Sequence, residues 1–236
     1  MTKKSKKILI VFSGGQDSTT CLIHYSNLYK NIYCLTFNYN QLHKSELNSS
    51  RFISKYFKVK KHKFIDIKCL SNLFKSSLTD KSISIHNNHP LNSLLPSTFV
   101  PGRNILFLTL SSIYAFNHKI NSIILGINSV DFSGYPDCKN EFINKINNAI
   151  KIGMNYQINF KTPLMYLSKA EIWALSDYWN STKFIIDHTV TCYKGIKGNG
   201  CGKCKSCFIR YEGLNKWKSN PSYYMKTLKE KFDFFN

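Results

Sequence analysis

The stretch Lys7-Ile8-Leu9-Ile10-Val11-Phe12-Ser13-Gly14-Gly15-Gln16-Asp17-Ser18-Thr19 decides how the rest of the chain is read. An unbroken apolar run ends abruptly in a glycine pair, which predicts a strand over 7–12 buried on both faces. Paired glycines let the backbone approach an anion closely. Their amides, continued by the first amides of a helix starting near Asp17, form an anion nest reinforced by the helix dipole. Ser13 and Ser18 add hydroxyl donors, and Asp17 suits either a Mg²⁺ or the helix cap. The Gly-Lys-[Ser/Thr] of a Walker loop is absent, so no lysine here grips a γ-phosphate. The basic Met1–Lys7 followed by apolar residues has the outline of a signal peptide. The apolar run is too short, however, and no cleavage region follows it, so the segment is read as the first strand of a cytoplasmic protein.

Working outward, strand-like and helix-like segments alternate. A helix is expected from Asp17 to about Tyr29, a strand over Ile32–Asn38, and a helix over His43–Phe57 with Leu47, Arg51, Phe52, Tyr56 and Phe57 at helical spacing. Val59–Ile67 reads as a third strand, interrupted near its lysines. Arg103–Asn117 is an apolar helix, Ile120–Gly126 a buried strand and Glu141–Met154 another helix. Ser168-Lys169-Ala170-Glu171 is a capping box opening a helix that runs to about Trp179. This alternation predicts an α/β fold with a doubly wound, mostly parallel sheet. Residues 1–180 would form it, and 181–236 a small zinc-binding segment with a C-terminal helix packed on the same domain. Ser76–Pro101 is a long polar loop, expected to be functional or partly mobile.

Composition narrows the function classes. Hydrophobic residues make up 43% of the 236, enough for one well-buried core and too many for disorder. No apolar run approaches the roughly 18–20 residues that span a bilayer. The formal charge is +20, yet only Arg51, Arg103 and Arg210 are arginines. A lysine-dominated, Asn- and Ile-rich chain is what an AT-rich coding sequence produces, so the charge is not by itself a nucleic-acid surface. Of eight cysteines, Cys21, Cys34, Cys69 and Cys138 are scattered, while Cys192, Cys201, Cys204 and Cys207 crowd together. Such clustering points to a metal rather than to disulfides. Four thiolates at these spacings surround one tetrahedral Zn²⁺, with glycines supplying the turns. An iron–sulfur cluster is the alternative.

Four separated segments carry a resemblance: Ser13–Cys21, Phe99–Asn104 (FVPGRN), Asp131–Cys138 (DFSGYPDC), and Thr191–Cys207 with Arg210. The first resembles the SGGxDS loop of the ATP-pyrophosphatase (PP-loop) superfamily, and together they resemble the 7-cyano-7-deazaguanine synthase family over the chain to about Gly213. The resemblance implies an adenine nucleotide alpha hydrolase-like fold and a C–N bond-forming ligase of queuosine biosynthesis. It implies that ATP activates 7-carboxy-7-deazaguanine by adenylylation, that ammonia gives the amide, and that a second adenylylation gives the nitrile. ATP, Mg²⁺ and Zn²⁺ are the implied cofactors and a homodimer the implied assembly, with no specific nucleic acid and no membrane as partner. The nucleotide would lie along Phe12, Ser13, Gly14, Gly15, Gln16, Asp17, Ser18, Thr19, Thr20, Cys21 and Leu22. Asp17, Ser18, Arg103 and Asp131 would be catalytic, and Arg103, Asp131, Tyr135 and Asp137 would contact the heterocyclic substrate. Cys192, Cys201, Cys204 and Cys207 would hold zinc. Arg103 is placed to pair bidentately with a phosphate or a carboxylate.

Tyr39-Asn40-Gln41-Leu42-His43 stands where the family has Tyr-Gly-Gln-Arg-His, so an anion contact from that arginine is lost. Asn40 tolerates the left-handed backbone that glycine supplies. Lys205-Ser206 replaces the family's Pro-Ala without touching a ligand. His43 is either a site residue or a loop histidine, and Cys138 either a nucleophile or a small buried thiol. Two other function classes stay open: a tRNA-modifying enzyme of the same superfamily, and a non-catalytic zinc-ribbon module that binds nucleic acid.

Overall fold

A computed structural model describes residues 3–130 and 135–234. In chain order the elements are β1 (Lys4–Val11), α1 (Gln16–Leu28), β2 (Tyr29–Asn38), α2 (Ser45–Tyr56), β3 (Lys61–Asp66), β4 (Asn88–His89) and β5 (Asn92–Pro96). There follow α3 (Arg103–Asn117), β6 (Ser122–Leu125), α4 (Asn140–Met154), β7 (Asn159–Lys161), α5 (Lys169–Tyr178), α6 (Thr182–His188), α7 (Lys205–Ser219) and α8 (Pro221–Lys231).

The main sheet is wholly parallel in the order β3-β2-β1-β6-β7. Alternation along its central strands builds a core on each face. Ile8, Ile10 and Phe12 join Ile32, Cys34 and Ile124 under α1, α5, α6 and α8. Leu9, Tyr33, Leu35, Phe37, Ile123 and Leu125 meet Leu108 and Ala115 of α3 and Ile143 and Ile150 of α4. The sheet is therefore doubly wound, as the sequence led one to expect. None of the described helices is long and apolar enough to cross a membrane.

The differences from expectation have local causes. β1 starts at Lys4 because backbone pairing with Tyr29 carries it past its apolar run, through a register shift between Lys4 and Lys7. β3 is not interrupted at its lysines: it is the sheet edge, where Lys61 and Lys63 alternate into solvent. The polar loop contains the β4–β5 hairpin. Its serines replace an apolar core with hydroxyl–backbone bonds: Ser76 Oγ donates to Ser97 O (3.0 Å) and Ser97 Oγ to Ser84 O (2.8 Å). β7 has three residues, too few for a periodicity. The C-terminal segment holds two long helices, because Pro221 ends one and opens the next under an Asn220 cap that accepts from the Tyr223 amide (3.2 Å). Both pack on α5. The capping box is present: Ser168 Oγ accepts from the Glu171 amide (3.3 Å), and Glu171 Oε2 from the Ser168 amide (2.7 Å). Buried Glu171 also pairs with Lys231 of α8 at 2.7 Å.

Strand order reverses between β1 and β6, and ligands of such sheets bind at the carboxyl ends of the strands beside that reversal. Two glycines let the elements close there. Gly14 has φ +83°, and a Cβ on it would stand 2.7 Å from Ser50 N and 2.8 Å from Glu46 O of α2. A Cβ on Gly126, just after β6, would stand 2.8 Å from Ser18 N in α1. These obstacles are backbone and cannot swing aside. Gly126→Ala should therefore destabilise the protein by about 1–3 kcal/mol in denaturant melts. Gly153→Ala, in α4 with nothing within 4 Å of the new methyl, should leave stability unchanged or slightly raised.

Candidate active site

At the reversal point lies a cleft of about 390 Å³. Its floor is the loop after β1. Ser13 Oγ lies 3.1 Å from Ser18 Oγ and accepts from the Gly15 amide (3.2 Å), so the two hydroxyls pre-shape the turn. Phe12, Ser13, Gly15, Gln16, Asp17 and Ser18 line the cleft. Thr19, Thr20, Cys21 and Leu22 do not line it. They are buried along α1, where Thr20 Oγ1 donates to Gln16 O (3.0 Å) and burial pushes the Cys21 thiol far up.

Asp17 does not stand alone beside this nest. Lys169 Nζ reaches both its carboxylate oxygens at 2.9 and 3.0 Å. The capping serine fixes the start of α5 and so aims this lysine into the cleft. Lys169 was not singled out in the sequence, though a clue was available. A cation at the first position of a helix opposes the dipole and needs another reason to be there.

The opposite wall comes from α3, α2 and the segment after β2. Phe107 stacks on Phe37 at 4.1 Å, seating the start of α3 against the sheet. Arg103 lies over the Tyr39 ring (5.6 Å) and donates to its hydroxyl at 3.5 Å. Its Nε is buried without a hydrogen-bond partner among the described residues. Glu46, also absent from the sequence reading, lines the same cleft from the first turn of α2.

Tyr135 lines the cleft and meets Thr98 Oγ1 at 2.7 Å. Asp137 is buried behind, beside Arg103, rather than in the cleft wall; burial raises its carboxyl, with Arg103 and the Asn104 amide opposing. Asp131 lies outside the described residues. Cys138 reaches the cleft, but burial, helped by Asp137, pushes its thiol up to about 12, which keeps it protonated and favours the small-thiol reading. His43 and Leu42 line the cleft too, so an aliphatic chain stands where the family's arginine would be. Asn40 adopts φ 65°, the left-handed backbone expected of it.

The third wall belongs to the cysteine segment. The Sγ atoms of Cys192, Cys201, Cys204 and Cys207 all lie within 4.8 Å of one another, a group able to hold one metal ion. Gly195, Gly198, Gly200 and Gly202 all have positive φ, as their role in the turns requires. The segment leading into Cys192 touches the phosphate loop directly. Val190 N donates to Gly14 O (3.2 Å) and Gln16 N to Thr191 Oγ1 (3.4 Å). Arg210, buried in α7, holds that segment: it donates to Thr189 Oγ1 (2.8 Å), Thr191 Oγ1 (2.9 Å) and Ile185 O (3.1 Å).

With this geometry in place, the family model for queuosine biosynthesis protein QueC matches residues 7–218. The chain belongs to that family. The 7-cyano-7-deazaguanine synthase of Buchnera aphidicola subsp. Schizaphis graminum (strain Sg) is 74% identical over 231 residues, 98% of this chain and 100% of that protein. Two solved structures of lower identity also align. A predicted subunit of tRNA methyltransferase from Methanocaldococcus jannaschii aligns with TM-score 0.48 and 18% identity over 73% of this chain and 74% of that one. NMN synthetase from Francisella tularensis aligns with TM-score 0.46 and 14% identity over 94% and 87%.

Arg210 shows how this QueC-family site is held together. Its guanidinium is taken up by neutral oxygens of one short segment, and that segment holds the loop turn. Arg210→Met would leave buried acceptors unpaired, at on the order of 1–3 kcal/mol. A thermal melt should show the loss, and ATP-dependent turnover should fall with it.

Proposed function

We propose that the chain converts 7-carboxy-7-deazaguanine and ammonia into 7-cyano-7-deazaguanine in the cytoplasm, using ATP, as a C–N ligase. The observation that carries this reading is 74% identity to a synthase of that name over nearly the whole chain. A carboxylate is a poor electrophile until one oxygen becomes a leaving group, and adenylylation supplies one. The protein's part is then mostly positioning and charge stabilisation.

Ser13, Gly14, Gly15, Gln16 and Ser18 cradle the phosphates with amides and hydroxyls, and Phe12 to Leu22 carries the loop on into α1. Lys169 adds positive charge where pyrophosphate departs. Arg103 faces the same cleft and pairs with the substrate carboxylate, Asp137 backs Arg103, and Asp131 and Tyr135 read the heterocycle's polar edge. Asp17 is a hard oxygen donor lining the cleft, which fits Mg²⁺ once its oxygens exchange Lys169 for the ion; that ion would offset phosphate charge as pyrophosphate leaves.

The four cysteines fit Zn²⁺. Four bonds of about 2.3 Å in a tetrahedron place sulfurs about 3.8 Å apart. The contacts here are 3.4 Å for Cys204–Cys207 and 3.9 Å for Cys201–Cys207. Four sulfurs within 4.8 Å of one another support a single ion over a cluster, which would hold them further apart. A closed shell of four thiolates leaves no position for water, so the ion is structural. Residues 181–236 thus serve the 1–180 domain as a brace. The enzyme acts on free small molecules as a homodimer, for which half-exposed Ile105, Ile113 and Phe116 of α3 offer an apolar surface.

Mass spectrometry of a reaction containing ATP, Mg²⁺, ammonium and the carboxylic acid should show the nitrile. Added tRNA at near-physiological salt should neither stimulate turnover nor become modified, since lysine-dominated charge gives non-specific, salt-sensitive binding. Modified tRNA without nitrile would hand the protein to the tRNA-modifying class. Asp17→Asn and Ser18→Ala should each lower turnover at least about tenfold with the fold intact. Metal analysis should find one zinc per chain, and Cys204→Ser should lose metal and stability together.

A further inference from the structure

Among the described residues the cleft is lined by two carboxylates, Asp17 and Glu46. Asp17 is engaged by Lys169. Glu46 has no hydrogen bond or ion pair with any described residue. It is nevertheless held in place, because the backbone of α2 at Glu46 and Ser50 closes on Gly14 without room for a methyl group. Its backbone therefore has a set place against the phosphate loop, and its side chain lines the same cleft as Arg103, where an acyl adenylate would be held.

The chemistry at that position must dispose of protons. When the lone pair of ammonia forms the C–N bond, the C–O bond to AMP breaks with its electron pair and the nitrogen sheds one proton, giving the amide. In the second round the amide oxygen displaces pyrophosphate from ATP. The C–O bond to AMP then breaks, a nitrogen lone pair completes the triple bond, and two N–H protons are lost. Resting on the function proposed above, we infer that Glu46 is the general base of this enzyme, accepting a nitrogen proton in amide formation and again in nitrile formation, the remaining proton passing to water.

Its environment suits that task. Burial pushes the Glu46 carboxyl up to about 7, with Arg103 opposing. A base with its pKa near the working pH combines adequate basicity with an available ionised fraction. The other charged or titratable groups lining the cleft are Arg103 from α3, Tyr39 and His43 from the segment after β2, the Asp17–Lys169 pair, and Tyr135, Cys138, Cys192 and Tyr193. Glu46 must be ionised to accept a proton, so activity that depends on it rises with pH through about 7.

Two reactions separate this role from a structural one. Exchange of labelled pyrophosphate into ATP, dependent on the carboxylic acid, reports adenylylation and requires no proton removal from nitrogen. Nitrile formation requires it. Glu46→Gln should lower nitrile formation on the order of a hundredfold, raise the ratio of exchange to nitrile formation correspondingly, and leave the melting temperature near that of the wild type. Glu46→Asp should recover part of the loss. In the wild type, kcat for nitrile formation should show an acid limb near pH 7 that exchange lacks. Equal loss of both reactions, a raised KM for ammonium with kcat unchanged, or a flat profile from pH 6 to 8 would each overturn the assignment. Exchange without nitrile in the wild type would instead overturn the reaction on which it rests.

Discussion

The turn at Gly14 lies against the backbone of α2 with no space for a side chain, and the cleft is organised around that contact. It sets the angle at which the chain leaves β1, and hence the direction of the first amides of α1. It also locates α2, so Glu46 enters the cleft at a fixed height. Ser49 Oγ donates to Gly14 O at 3.2 Å, and Val190 N donates to the same oxygen. One carbonyl thus ties together the nest, the second helix and the approach to the cysteines. Gly126 makes the matching approach from β6 to α1, so the nest is gripped on both sides by main chain, which cannot rotate away.

Electrostatics then divides the cleft. At one end the nest amides, the α1 dipole and Lys169 favour polyanions, with Asp17 moderating the lysine. At the other, Arg103 supplies a second cation, screened by a tyrosine face and backed by buried Asp137. A nucleotide triphosphate and a planar carboxylate have their charges at about this division. The selective charges are one lysine head and one arginine head, whose positions are set by a helix cap and by aromatic stacking.

Much of the fold was legible because the relevant forces are local or periodic. The unbroken apolar run of Lys7–Phe12 reports burial on two faces, the β-branched and aromatic residues of Ile32–Asn38 a second strand, the Ser168–Glu171 box a helix start, and Arg103–Asn117 forms as read. The phosphate loop and the four cysteines were legible because their spacing alone restricts the chemistry. What escaped the sequence depends on distance in the chain. Lys169 meets Asp17 across 152 positions and Arg210 meets Thr191 across 19, so neither pairing has a local pattern. Glu46 carries no distinguishing signal, since an acid in the first turn of a helix is favourable to any helix dipole. Only the close packing of α2 on Gly14 turns it into a cleft residue. The three-residue β7 and the serine-bonded loop lacked apolar periodicity altogether.

The same logic explains why a cysteine segment distant in sequence touches the loop after β1. A loop that must hold phosphate cannot carry large apolar side chains to anchor itself, so its anchors have to be backbone bonds from elsewhere. Residues 185–191 provide them, a short stretch whose Ile185 and Val190 are fully buried. It gains rigidity at both ends: upstream and within, Arg210 gathers its carbonyls and hydroxyls; downstream, Cys192 joins a cross-linking cluster. α7 carries both Arg210 and Cys207, and it packs with α8 on α5, the helix that presents Lys169. Displacing the cysteine cluster would therefore disturb the nest through Val190 and the lysine through α5 at once. A metal held by these four cysteines would fix the distance between two charged parts of the site, so a closed ion that touches no substrate would still matter for turnover.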